Sequence, residues 1–158
     1  MYTKIEWKKL LISIAIAFGT GILASLLAPD IPERYAALYH PPLAPQAWLF
    51  PVVWTILYVL MGVAAYLIYQ HPSGEARKLA LFSYGLQLLV NLFWPVLFFR
   101  LGAYVTAFFW LMLLWYLVFV TFQKFTKLNA VAGSLLIPYL VWLTYAGYLN
   151  LAIAITEL

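Results

Sequence analysis

Charged residues fall into six short clusters along this chain, and the stretches between them are long, apolar and free of charge. The clusters are Lys4/Glu6/Lys8/Lys9, Asp30/Glu33/Arg34, Glu75/Arg77/Lys78, Arg100, Lys124/Lys127 and Glu157. The gaps cover residues 10–29, 35–74, 79–99, 101–123 and 128–156. A hydrocarbon layer of about 30 Å needs about 20 apolar helical residues, and each gap supplies them. The second gap is longer because it opens with His40-Pro41-Pro42-Leu43-Ala44-Pro45, a segment that cannot continue a helix. The pattern predicts an all-α membrane protein: one domain over 1–158, a bundle of five transmembrane helices at about 8–28, 47–69, 78–99, 102–123 and 129–156.

Within the spans, small residues and prolines modulate this picture. Ala17, Gly21 and Ser25 recur at spacing four in the first span, a stripe that admits a close neighbour, within the chain or across a homodimer. Pro51, Pro95 and Pro138 are expected inside the second, third and fifth spans, freeing the carbonyls of Ala47, Asn91 and Ser134. In lipid such groups need a neighbour or water, so the prolines fit bends around a cavity and, equally, kinks that are purely structural.

Composition sharpens the class. The chain is 66% hydrophobic and 9% charged, outside the range of water-soluble domains. The net charge of +4 is scattered over span ends rather than gathered on a face, which argues against nucleic acid as a partner. Lys4, Lys8, Lys9, Arg77, Lys78, Lys124 and Lys127 fall on one side and only Arg34 and Arg100 on the other. The positive-inside rule then predicts a cytoplasmic N-terminus with the Pro-rich first loop outside, and a multi-pass protein of a bacterial inner membrane is the expected setting.

Candidate chemistry is narrow. There is no Cys, the two His (His40 and His71) fall in loops, and beyond Lys8, Lys9 and Lys78 at their very ends the expected spans hold no Asp, Glu, Lys, Arg or His. Thiol chemistry, a His-based triad, paired carboxylates, a metal site and an ion-coupled relay all lose their usual residues. What remains is aromatic rings and amides. Tyr84, Gln87, Asn91, Trp94 and Phe98 share one face of the third span; Trp54, Tyr58 and Met61 share one of the second; Tyr139, Trp142, Tyr145 and Ala146 share one of the fifth. At 1.5 Å per residue, Trp54 lies about 10 Å from the outer end, Asn91 about 12 Å and Ala146 about 15 Å. Rings, one amide and a small residue at a common depth suit a flat hydrophobic ligand.

These residues carry a resemblance. Trp48-Leu49-Phe50-Pro51-Val52-Val53-Trp54-Thr55-Ile56-Leu57-Tyr58, Asn91-Leu92-Phe93-Trp94-Pro95, Pro138-Tyr139-Leu140-Val141-Trp142 and Leu149-Asn150 resemble, in order and spacing, the tryptophan-rich sensory protein family, whose mitochondrial members are called translocator protein or peripheral benzodiazepine receptor. The resemblance implies a five-helix receptor for porphyrins (protoporphyrin IX or haem, as ligands rather than obligatory cofactors) and for benzodiazepine- or isoquinoline-type molecules. It implies a pocket of Trp54, Tyr58, Asn91, Trp94, Trp142 and Ala146, with Gln87 on the same face as Asn91, roofed by Tyr35 and Pro41. Arg34 and Arg100, the only cations on that side, are candidates for pairing porphyrin propionates. The first loop departs from the family pattern: Leu43 stands where a Trp is usual and Gln46 where a Pro is. Three functions follow as alternatives: a binding protein acting as sensor, carrier or scavenger; light-dependent oxidative breakdown of protoporphyrin, with Trp54 and Trp142 as candidate participants; and, less favoured, a small-molecule transporter.

Overall fold

The computed structural model describes residues 4–72 and 74–158 and contains, among them, helices and no strands. The order is α1 (Trp7–Leu27), α2 (Ile31–Ala37), α3 (Leu49–Tyr69), α4 (Gly74–Pro95, running on as a π-helical turn Val96–Arg100), α5 (Tyr104–Leu128), α6 (Ala130–Ser134) and α7 (Ile137–Thr156). Five stretches are long and apolar enough to cross a membrane: α1, α3, α4 with its π turn, α5, and α6 together with α7. The five expected spans are therefore present, with ends moved by a few residues.

The differences have identifiable causes. Ile31–Ala37 forms a short helix in a segment that hydropathy left as loop, because Asp30 takes a left-handed conformation (φ 65°) and Pro32 is preset for a first turn. Pro51 is not inside its helix. α3 starts at Leu49, so Pro51 sits in the first turn, where its missing N–H costs nothing. Pro95 does disrupt its helix: bonds beyond it reach five residues back, as in Leu101 N–H to Val96 O at 3.0 Å. Pro138 splits the fifth span at Leu135–Leu136, next to the carbonyl of Ser134 that it frees. Asn129 starts α6 by accepting from the N–H groups of Val131 (2.9 Å) and Ala132 (3.1 Å).

The helices share their buried faces unequally. Leu57, Met61, Ala64, Ala65 and Ile68 of α3 meet Leu111, Leu114 and Val118 of α5 and Leu136, Tyr139 and Leu143 around α7 in one core. α1 packs on α3 and α4, with most of its surface outward, as a helix against lipid would be. Its contact with α3 uses small residues. Ala17 is fully buried, Ser13 Oγ donates to Gly62 O at 2.7 Å, and Gly21 lies against the Tyr58 ring. Two members of the sequence stripe thus serve packing within the chain, while Ser25 is exposed and bonds Gly21 O of its own helix.

Candidate ligand pocket

The prolines and rings near the α2 end of the bundle hold α1, α3 and α4 apart, and a cavity of about 440 Å³ opens between them. α1 contributes Gly21, Ala24 and Ser25, whose small side chains leave the space. α3 contributes Phe50, Trp54 and Tyr58 along one face, and α4 contributes Asn91 and Trp94, with Phe99 of the π turn beyond. α2 lies across the mouth with Ile31, Pro32 and Tyr35. The α2 roof follows from local chemistry at Asp30 and Pro32, and the π turn that follows Pro95 brings Phe99 to the wall.

The rings are held in place by one another. Trp54 lies 5.6 Å from Tyr58 and 6.1 Å from Tyr139, centroid to centroid. Trp94 stacks on Phe98 at 5.0 Å. Its indole N–H donates to Asn150 Oδ1 at 3.1 Å, and Asn150 in turn donates to Tyr104 O at 2.9 Å. Asn150 is buried and fixes the plane of a wall residue from behind; its place in the Leu149-Asn150 pair of the sequence motif was the signal for it. Asn91 is the polar point of the cavity, 3.4 Å from the Tyr58 hydroxyl and 2.7 Å from that of Tyr139.

The mouth is tied down by carbonyls. Tyr35 donates to Pro45 O at 2.6 Å, and the His40 ring lies 4.7 Å from that of Tyr35 with Nε2 3.1 Å from Tyr35 O. Burial, aided by Tyr145 nearby, holds the Tyr35 phenol above its ordinary value, so it stays a neutral donor. Tyr148 donates to Pro42 O at 2.8 Å and Tyr145 to Leu43 O, which fastens the loop to α7. Arg34 donates to Phe99 O at 2.8 Å and Arg100 to Leu27 O at 3.0 Å, each satisfying a carbonyl at a helix end. A guanidinium has five N–H donors, so both keep capacity for an anion.

Of the residues singled out in the sequence, Tyr35, Trp54, Tyr58, Asn91 and Trp94 come together on the wall. Gln87 is buried one turn further along α4, bonded to Tyr139 rather than facing the cavity. Trp142 and Ala146 are not on this wall. Trp142 packs on Phe50 (5.8 Å) and Tyr145 (5.5 Å), and Ala146 is buried in the core. Pro41 is buried within the loop, away from the cavity lining. Sequence reasoning missed the contribution of Ile31 and Phe99, whose positions depend on α2 and the π turn.

A five-span helical membrane protein with an aromatic cavity under a pinned loop is the class that fold and site define. Residues 12–156 match the TspO/MBR family, and the chain belongs to it. It is 37% identical over 145 residues to the tryptophan-rich sensory protein of Cereibacter sphaeroides, covering 92% of this chain and 89% of that one. It is 35% identical over 147 residues to protein CrtK of Rhodobacter capsulatus (90% and 86% covered). It is 36% identical over 118 residues to the translocator protein of Ovis aries (73% and 70% covered).

Proposed function

We propose that this protein is a membrane receptor for flat, largely apolar molecules, porphyrins first and benzodiazepine- or isoquinoline-type compounds second. The observation that carries this reading is the cavity of about 440 Å³ walled by Trp54, Trp94, Tyr58 and Phe50, with Asn91 as its polar anchor. Ring-on-ring contact contributes about 0.5–1.5 kcal/mol per pair beyond burial. A few such contacts suffice for micromolar affinity, about −8 kcal/mol. Arg34 and Arg100 stand at the mouth, where the propionates of a porphyrin would emerge. With the first loop outside and the N-terminus cytoplasmic, in a bacterial inner membrane, the pocket opens toward the outer face.

The test is an absorbance titration of the purified protein with protoporphyrin IX, haem and a benzodiazepine-type ligand. A saturable shift of the porphyrin band, displaced by the uncharged ligand, is the expected result. A shift no larger than that of empty detergent micelles would defeat it. A second reading, light-driven oxidative breakdown of bound protoporphyrin with dioxygen as oxidant, has Trp54 on the wall as its candidate participant, while Trp142 lies off it. Illuminating the same samples separates the two: a binder leaves the band shifted and intact.

A further inference from the structure

Behind the pocket wall a chain of hydrogen bonds runs through the middle of the bundle. The Tyr58 hydroxyl donates to Asn91 Oδ1 (3.4 Å), Asn91 Nδ2 to the Tyr139 oxygen (2.7 Å), the Tyr139 hydroxyl to Gln87 Oε1 (2.8 Å) and Gln87 Nε2 to Met61 Sδ (3.8 Å). All five residues are buried, and Gln87, Met61 and Tyr139 are off the cavity wall.

The two ends of a side-chain amide are alike in shape, so the partners decide which way it points. Met61 decides here. A thioether sulfur accepts a hydrogen bond and cannot donate one. With the Gln87 carbonyl turned toward it, two electron-rich atoms would meet without a proton between them. Gln87 therefore gives Met61 its NH2 and turns Oε1 to Tyr139. The single Tyr139 proton goes to that oxygen, so Tyr139 must accept from Asn91 Nδ2. Asn91 is left with Oδ1 facing Tyr58 and the cavity. Its contact with Tyr58, at 3.4 Å, is well beyond the usual O–H···O distance, and a closer donor would displace it.

We propose that the floor of the pocket is a hydrogen-bond acceptor, that it selects flat ligands carrying an N–H or O–H at that end, and that Met61 and Gln87 set this preference without touching the ligand. The inference rests on the reading of the cavity as a binding site for flat apolar molecules. Met61 and Gln87 act through Tyr139 and Asn91 and are positioning residues. The thioether that ends the relay is one cause of its direction, and the Tyr139 hydroxyl, with only one proton to give, transmits it.

Three tricycles of nearly equal shape test the idea: carbazole, which offers an N–H; dibenzofuran, which offers an oxygen acceptor; and fluorene, which offers neither. Binding to the full chain in detergent is measured by equilibrium dialysis, with empty micelles subtracted. The unmodified protein is expected to bind carbazole roughly three- to tenfold more tightly than dibenzofuran or fluorene, the worth of one ordinary hydrogen bond. Gln87→Leu removes the acceptor of Tyr139, whose proton then goes to Asn91 Oδ1 and turns the Asn91 NH2 toward the cavity. In that variant the preference for carbazole disappears and dibenzofuran gains. Met61→Leu, close in volume, moves the ratio toward one. Fluorene affinity stays constant in all three proteins and reports an intact cavity. A carbazole-to-dibenzofuran ratio of one in the unmodified protein overturns the proposal, as does an unchanged ratio in Gln87→Leu with fluorene binding held. Should Gln87→Leu lose fluorene as well, Met61→Leu decides, and an unchanged ratio there overturns it. If none of the three binds the unmodified protein, the cavity reading itself fails and takes the proposal with it.

Discussion

Helices α1 and α3 meet twice, and the two meetings differ in kind. Near the middle of the bundle, Gly62 sits so close to α1 that an added Cβ would lie 2.5 Å from the Ile14 Cα, backbone against backbone. About two turns of α1 further on, an added Cβ at Gly21 would lie equally close to Tyr58, but to the edge of a ring at the end of a side chain. In the first region nothing separates the helices and no space remains. In the second a tyrosine holds them apart, and the cavity begins there. Close packing and a binding site are thus built on the same pair of helices by the choice of one small or one large residue at the point of contact.

That comparison can be broken most forcefully with the same substitution at both glycines. Gly62→Ala pushes on backbone that cannot swing away, so it should cost about 1–3 kcal/mol of stability, visible as earlier thermal unfolding in detergent. Gly21→Ala should leave unfolding nearly unchanged, because the Tyr58 ring can turn into the cavity, and should instead weaken ligand binding. Equal loss of stability at the two sites would show that the Gly21 contact is as rigid as the Gly62 one.

A smaller effect is expected at the polar point of the cavity. Asn91→Ala removes one buried amide whose interhelical bonds are worth about 0.6–2 kcal/mol. Porphyrin affinity should fall several-fold while the helical signal and elution volume stay those of the parent. Unaltered affinity would remove Asn91 from the site. The finest probe lies at the mouth. Arg34→Ala should weaken protoporphyrin by about two- to fivefold, in keeping with an exposed charge pair, and an uncharged ligand by less. The difference should shrink at high salt. Equal losses for both ligands would assign Arg34 wholly to the Phe99 carbonyl that it caps.

Much of this architecture was legible in the chain. The spacing of charge clusters set the number of spans, since hydrocarbon excludes Lys, Glu and Asp from their middles. Helical periodicity placed Trp54 with Tyr58 and Asn91 with Trp94, and both pairs do face the cavity. Pro138 marked the break in the fifth span. Pro51 misled, because its expected place inside a helix depended on where that helix starts, and hydropathy does not resolve a helix start to within a turn. A roof with Tyr35 was expected from the resemblance, but its helical form went unseen because the seven residues of α2 are too few to show a hydrophobic period.

By itself, then, the sequence determined that this is a five-span helical membrane protein, in what order the aromatics and amides follow along each helix, and which side chains of one helix point the same way. Those are properties of a single helix in a slab of hydrocarbon, governed by length, rise and period. Only the tertiary structure decided which faces meet. It put α1 across the cavity from Trp54 and Asn91 with Tyr139 of α7 behind them, sent Trp142 against Phe50 and Ala146 into the core, and turned Gln87 toward Tyr139 and Met61. Order and direction are local, whereas the identity of the neighbour depends on how small residues, rings and proline breaks in different helices fit one another.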